Sequence, residues 1–187
     1  PTAVVATLRE LPSESALFIA SSRPIRDIEA FAEPRSGIET FANRGLAGID
    51  GNISTAFGIA LSRSRTFAIL GDLAFLHDIN GLLISSEEVK PNLTIIVIAN
   101  DGGGIFSTLP QKDVPGFEKI FGTPHGRDLV AIAESYGIPA VGVRTQEALI
   151  AQLARSGEGL RVIVANMPDR KTNAELLNNL TRSLALL

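Results

Sequence analysis

Residues 93–99 read LTIIVIA, a run with apolar side chains on both of the faces that a strand would present. A half-buried strand alternates apolar and polar residues; this one leaves no face for water. It has to be covered on both sides, as a central strand of a parallel sheet is by its crossover helices. The run ends abruptly on Asn100-Asp101 and three consecutive glycines.

Shorter runs predict five more strands, over Ala16–Ala20, Ile38–Ala42, Thr66–Leu70, Ala140–Val143 and Leu160–Ala165. Helical patterns lie between them. Pro24–Phe31 has Pro at its first position, and Asn52–Leu61 has Asn52 or Ser54 as its cap. Leu76, Ile79 and Leu83 recur at helical spacing. Leu129–Tyr136 is closed by Gly137; Gln146–Arg155 and a closing helix, Ala174–Leu187, follow. Val4, Val5 and Leu8 predict a further helix at the start. The alternation predicts an α/β fold: an open, mostly parallel six-stranded sheet with helices on both faces, built as a single domain over residues 1–187.

Several classes are excluded by composition. A chain of 187 residues, 45% apolar and 20% charged, forms an ordinary soluble core. A net charge of −3 gives no electrostatic case for nucleic acid. The absence of cysteine removes disulfides, thiolate catalysis and zinc–sulfur sites. No apolar stretch reaches the roughly 18 residues of a membrane span, and no signal peptide is visible. The first residue is Pro1 rather than Met, so the sequence is expected to be a processed or excised piece of a longer chain.

Ligands of open parallel sheets bind outside the carboxyl ends of the strands. The polar residues of this chain fall at those ends: Ser21, Ser22 and Arg26 after the first strand, Asn43 and Arg44 after the second, Asp72 after the third, Asn100 to Gly104 after the fourth. The Asp72 carboxylate and the Asn100 amide are hard oxygen donors suited to Mg²⁺ or Ca²⁺. With one backbone carbonyl from the glycine turn they leave room for diphosphate oxygens, and the glycines let backbone N–H groups approach closely. The helix after Asp72 adds favourable partial charge. Each residue alone also reads as ordinary architecture, Asp72 as a helix cap and Asn-Asp-Gly as a turn. Asp50 and Asp101 read as turn formers. His77 reads as a bland helical residue. His125 lies in the long connection from Phe106 to about Arg127, whose only apolar patch is Phe117–Phe121 and whose length suits a lid or binding loop.

Gly71-Asp72 followed by Asn100 resembles the thiamin-diphosphate signature of Gly-Asp-Gly, a gap of about thirty residues, then Asn; Leu73 stands where that family usually has Gly. Ser-Arg-Pro-Ile-Arg-Asp (22–27), Asn-Arg-Gly-Leu-Ala-Gly-Ile-Asp-Gly (43–51) and Asn-Asp-Gly-Gly-Gly-Ile-Phe-Ser-Thr-Leu-Pro (100–110) are similar to the C-terminal diphosphate-binding (PP) domain of the MenD family. These are the 2-succinyl-5-enolpyruvyl-6-hydroxy-3-cyclohexene-1-carboxylate synthases of menaquinone biosynthesis. The resemblance implies a thiamin diphosphate-binding fold and, in the full-length protein, a transferase that decarboxylates 2-oxoglutarate and adds the succinyl unit to isochorismate.

The resemblance also implies roles. Thiamin diphosphate and Mg²⁺, or Mn²⁺ in its place, would be the cofactors, with Asp72, Asn100 and the Gly102 carbonyl on the metal. Ser21, Ile49, Gly71, Leu73 and Gly103 would complete the cofactor site, Ile49 propping the bent cofactor. Arg26 and Arg44, whose planar forks suit carboxylates, would face 2-oxoglutarate. Ile105, Phe106 and Leu109 would wall the isochorismate side, although three apolar residues after a turn equally suit packing under the long loop. No catalytic residue is implied in this chain: the activating Glu belongs to a pyrimidine-binding domain contributed by a partner subunit of a cytoplasmic homodimer or homotetramer. The chain alone is then expected to fold and to be inactive. Two other readings remain at this point: the same domain of another thiamin-dependent 2-oxoacid decarboxylase or acetolactate synthase, and a non-catalytic α/β binding module.

Overall fold

A computed structural model describes residues 1–155 and 159–184. The strands are β1 (Ser15–Ile19), β2 (Ile38–Phe41), β3 (Thr66–Gly71), β4 (Leu93–Ala99), β5 (Ala140–Val143) and β6 (Leu160–Asn166). The helices are α1 (Thr2–Glu10), α2 (Arg23–Phe31), α3 (Asn52–Ala60), α4 (Asp72–His77), α5 (Leu129–Ser135), α6 (Gln146–Leu153) and α7 (Arg170–Leu184). The strands form one sheet in the order β2-β1-β3-β4-β6-β5, and every pairing is parallel.

The apolar runs are buried on both faces, as they require. In β3, Phe67 and Ile69 join one core while Ala68 and Leu70 join the other. In β4, Ile96 joins the first and Ile95 and Val97 the second. The first core is closed by Val4 of α1, Ile25 of α2, and Leu149 and Leu153 of α6. The second is closed by Ile53 and Ala56 of α3, Phe75 of α4, and Leu129 and Ala133 of α5. Each fully buried Leu, Ile or Phe contributes about 1.5–3 kcal/mol, so the two faces, not any single bond, hold the sheet.

Four expectations about helices are corrected. The spacing of Leu76, Ile79 and Leu83 does not continue one helix: α4 stops at His77, a 3₁₀ turn spans Ile79–Leu82, and Leu83 is exposed. The break is held from outside, because the Asp78 carboxylate accepts the Ser54 N–H of α3 at 2.9 Å and Gly81 packs directly on Ile53 and Ser54. Neither Asn52 nor Ser54 caps α3. Gly51 does, at φ +68°, while the Asn52 amide donates to the Gly48 and Asp50 carbonyls. Helix α7 starts earlier than Ala174, because Asp169 accepts from the Lys171 and Thr172 N–H groups; the expected end of that helix at Leu187 lies outside the described residues. Helix α6 ends at Leu153 rather than Arg155.

Position in the sheet singles out one end. Strand β1 connects outward to β2 on one side and lies beside β3 on the other. The order reverses there, which opens a crevice at the carboxyl ends of β1 and β3.

Candidate functional site

A cavity of about 400 Å³ fills that crevice. The segments after β1, β3 and β4 line it, together with residues 44–49 beyond β2. It collects Ser21, Arg26, Arg44, Ile49, Gly71, Asp72 and Leu73, and from the glycine turn Asn100, Gly102, Gly103, Ile105 and Phe106. Leu109 lies outside its lining. A 3₁₀ turn spans Gly104–Thr108, the Leu109 N–H closes on the Phe106 carbonyl at 3.2 Å, and the chain turns away. Arg23 also lines the cavity and was not singled out; it is bracketed by Ser22 and Pro24 and pairs one turn later with the buried Asp27.

Asp72 is the most constrained polar group of the site. It opens α4 and is 2% exposed. Its Oδ2 accepts the Asn100 N–H at 3.1 Å and the Gly102 N–H at 2.9 Å, so the carboxylate of one strand end fixes the turn at the next. Among the described residues its Oδ1 accepts only the Leu73 N–H, at 2.8 Å, and retains acceptor capacity. The Asn100 amide packs on Gly104 and makes no side-chain hydrogen bond among the described residues. The Gly102 carbonyl accepts the Gly104 N–H across a tight turn at Gly103 (φ −74°, ψ 59°) and keeps a second lone pair. Ser21 Oγ is buried without a partner among the described residues. A carboxylate, an amide and a carbonyl with unused oxygen capacity fit a hard cation, and the orphaned hydroxyl fits an anionic ligand beside it. Among the described residues no three His, Cys, Asp or Glu side chains cluster as a separate metal site.

The glycines of the turn are also required by packing. A Cβ on Gly102 would strike the Gly122 carbonyl, one on Gly103 the Phe121 carbonyl, and one on Gly104 the Asn100 amide. Side chains are removed here so that the long connection can return across the turn, with the Gly103 N–H donating to the Gly122 carbonyl at 2.7 Å. Gly71, by contrast, has open space around it. The connection is not bare: the Phe121 ring packs between those of Phe106 and Phe117, at 5.4 and 5.9 Å between centroids. Short helical turns span Pro110–Asp113 and Glu118–Gly122. The brevity of α4, six residues, leaves little dipole at Asp72.

Strained backbone occurs in the cavity wall, at Ser22 and Gly102, and in the segments next to it, at Asp101 and Thr123. Ser22 (φ 72°), Asp101 (φ 62°) and Thr123 (φ 44°) are non-glycine residues at positive φ, and Gly102 is at φ 121°. Such conformations cost about 1–3 kcal/mol each and persist where surrounding bonds impose them. Asp101, expected to form a turn, does more: its Oδ1 accepts the His125 and Gly126 N–H groups at 2.9 and 2.8 Å. Those two bonds, the Gly126 one foremost, hold its carboxyl below the usual range. His125 is thereby brought against Asp72, whereas His77 is exposed on α4. Asp50 stays within its loop, against Gly48.

At the mouth, Arg26 is exposed and donates to the Ser22 carbonyl at 2.8 Å, and Arg44 is exposed on its loop. Neither pairs with a carboxylate among the described residues. Ile49 is 41% exposed and belongs to neither core, so it is a wall of the cavity rather than a packing residue.

The chain was also compared with known proteins. Residues 27–165 match the family described as thiamine pyrophosphate enzyme, C-terminal TPP binding domain. The chain is 46% identical over 180 residues to a 2-succinyl-5-enolpyruvyl-6-hydroxy-3-cyclohexene-1-carboxylate synthase of Thermobifida fusca, covering 94% of the chain and 32% of that protein. It is 50% identical over 152 residues to the enzyme of the same name from Nocardia farcinica, covering 79% of the chain and 28% of that protein. The chain thus spans about a third of the length of the curated relatives it matches. The crystal structure of benzoylformate decarboxylase from Polynucleobacter necessarius superposes with a TM-score of 0.67 at 22% identity, over 90% of this chain and 33% of that one, a likeness of fold. The match over residues 27–165, on a sheet whose switch point gathers Asp72, Asn100 and the glycine turn, makes this chain a member of the thiamine pyrophosphate enzyme family, in its C-terminal TPP-binding domain.

Proposed function

We propose that the chain is the diphosphate- and Mg²⁺-binding domain of a synthase that decarboxylates 2-oxoglutarate and adds the succinyl unit to isochorismate in menaquinone biosynthesis. One observation carries the substrate half of this reading. Arg26 and Arg44, with no carboxylate partner among the described residues, open onto the same cavity as Asp72 and Asn100. The names of the relatives support it and favour neither a 2-oxoacid decarboxylase of another kind nor a non-catalytic module.

When bound, thiamin diphosphate supplies the electron sink for decarboxylation and carbon–carbon bond formation. The chain's own residues bind and orient. Asp72 Oδ1, the Asn100 amide oxygen and the Gly102 carbonyl would hold Mg²⁺, with Mn²⁺ as a substitute, and the metal would carry the diphosphate. Ser21 Oγ, Gly71, Leu73 and the Gly103 backbone would line the rest of the cofactor. Ile49 would support it from the open side. Arg26 and Arg44 would fork onto carboxylate oxygens of 2-oxoglutarate, and Ile105 with Phe106 would exclude water on the isochorismate side. The site is a half-site. Its proton-handling Glu would come from a pyrimidine-binding domain of a partner subunit, in a cytoplasmic homodimer or homotetramer, and residues 1–187 would be the C-terminal part of the longer protein. No helix among the described residues is long and apolar enough to cross a membrane.

The test is substrate consumption by the intact protein with Mg²⁺ and thiamin diphosphate. Decarboxylation of 2-oxoglutarate coupled to loss of isochorismate is expected. Equal turnover of pyruvate or benzoylformate with 2-oxoglutarate left untouched would overturn the assignment.

A further inference from the structure

We propose that His125 is a positioning residue for Asp72: its Nε2–H holds the inner oxygen of the carboxylate so that the outer oxygen is left for the cation. The proposal rests on the reading of Asp72 as a metal ligand. Fifty-three positions of sequence separate the two side chains, and nothing local in the sequence joins them. In the fold, Nε2 lies 3.3 Å from Asp72 Oδ2, and the imidazole is 12% exposed.

The tautomer follows from the other ring nitrogen. Nδ1 lies 3.0 Å from the Arg127 N–H, which can only donate, so Nδ1 carries no proton. A neutral imidazole with a bare Nδ1 has its hydrogen on Nε2, the atom that faces Asp72. The ring is held from behind by main chain: the His125 and Gly126 N–H groups both bond Asp101 Oδ1, and the chain enters through the left-handed Thr123. Asp101 therefore fixes the main chain that carries the imidazole.

The consequence is an asymmetric carboxylate. Oδ2 receives three donors, the N–H groups of Asn100 and Gly102 and the His125 Nε2–H, while Oδ1 receives one. Rotation of the carboxylate would break three bonds at once. A neutral donor achieves this without placing a second cation beside the metal. Outer hydrogen bonds of this kind are worth about 10–100-fold in metal affinity. At 3.3 Å the imidazole bond is longer than the two backbone bonds, which places the expected effect near the lower end.

Three substitutions in the intact protein test this. Gln carries its amide nitrogen about as far from the backbone as His Nε2; Asn is too short; Phe fills the volume and donates nothing. Mg²⁺ affinity in the presence of thiamin diphosphate, by calorimetry, is expected to fall about 10-fold in His125→Phe and His125→Asn and to stay within about threefold of wild type in His125→Gln. The metal-free melting temperatures of the Asn and Gln variants should agree, which separates positioning from folding. Nitrogen NMR of the metal-free wild type should show the Nε2–H tautomer. Equal Mg²⁺ affinity in the Asn and Gln variants, or an Nδ1–H tautomer, overturns the proposal. A wild-type protein that binds neither Mg²⁺ nor thiamin diphosphate overturns the metal-site reading on which the proposal rests, and with it the proposal; the tautomer then reports separately whether the imidazole donates to Asp72.

Discussion

Two cavities share the carboxyl edge of this sheet, and the larger is not the candidate site. The first, about 400 Å³, lies outside β1, β3 and β4; the second, about 660 Å³, lies outside β4, β5 and β6. Asn100 belongs to the walls of both. The larger one is rich in charge, with Arg127, Asp128, Arg144 and Asp169, yet several of its polar groups are already engaged. Asp128 caps α5, Asp169 caps α7, Asp101 holds residues 125–126, and the Asn166 amide is bonded to the Val143 and Val164 carbonyls. Among the described residues the smaller cavity holds groups with capacity to spare: Ser21 Oγ has no partner, Asp72 Oδ1 has a single donor, the Asn100 amide makes no side-chain bond, and the Arg26 and Arg44 guanidinium groups have no acid. Polar groups committed to architecture stabilise elements, whereas polar groups without partners are where a ligand recovers a desolvation cost of about 1–3 kcal/mol apiece.

The contrast is broken most sharply at Asp72. Asp72→Ala in the intact protein is expected to abolish Mg²⁺-dependent thiamin diphosphate binding, a loss of at least about 100-fold, since it removes a metal ligand and the anchor of the glycine turn together. Asp169→Ala, on the other cavity, should leave that affinity unchanged. Calorimetry on both variants, with circular dichroism to confirm folding, decides it; cofactor affinity retained in a folded Asp72→Ala protein would end the metal reading.

The glycines give the next effect in size. Gly102→Ala combines φ 121° with a collision against the Gly122 carbonyl, a backbone atom that cannot swing aside as a side chain would. About 3 kcal/mol or more of destabilisation is expected, from strain of about 1–3 kcal/mol and displacement of similar size. Gly126→Ala, beside the larger cavity, meets open space at φ 58° and should cost about 1–2 kcal/mol. Gly71→Ala meets open space with no positive φ and should cost little. Thermal melts of the three variants should rank in that order, and a harmless Gly102→Ala would show that the returning connection does not need the bare turn.

Arg26→Ala and Arg44→Ala are expected to lower kcat/KM for 2-oxoglutarate by about one to two decades each, the worth of a charged hydrogen bond, without weakening cofactor binding. Arg→Lys should recover only part, since an ammonium cannot fork. Arg144→Ala should change neither quantity. Normal kinetics with 2-oxoglutarate in both alanine variants at the mouth would sink the substrate assignment.

The sheet was legible because burial on two faces leaves a local mark: each strand of the centre is apolar in consecutive positions, and Pro, Asp and Gly punctuate the ends. The cavity was legible for a related reason. Asp72 and Asn100 each follow a strand, and parallel strands bring their carboxyl ends to one edge. What did not show was every relation across the long connection. The aromatic series of Phe106, Phe117 and Phe121, the approach of His125 to Asp72, and the purpose of Gly102 and Gly103 depend on where residues 118–127 return. No periodicity encodes that path. The misplaced cap of α3 has the same origin, since the partner of Ser54 is Asp78, on a different element.

The smallest expected effect belongs to the larger cavity and concerns pH. Asp169 accepts the Thr172 N–H and hydroxyl and the Lys171 N–H, and these bonds, those from Thr172 foremost, hold its carboxyl below the ordinary value of 3.8. A carboxyl whose folded value is depressed stabilises the fold fully above its unfolded value, and that contribution is lost as pH falls through the folded one. The first turn of α7 should therefore keep its protection above about pH 4 and lose it progressively below, because a protonated carboxyl accepts more weakly from the two N–H groups. Asp169 is solvent-exposed, so salt and water weaken the effect, and amide exchange at Lys171 and Thr172 is a better measure than global melting. Asn caps as well as Asp but does not titrate. Asp169→Asn should leave α7 in place and flatten the pH profile of those two amides, with cofactor affinity in the smaller cavity unmoved. A profile that keeps its acid step in Asp169→Asn would assign the step to another carboxyl, and a loss of cofactor affinity would show that the two cavities are coupled through their common wall.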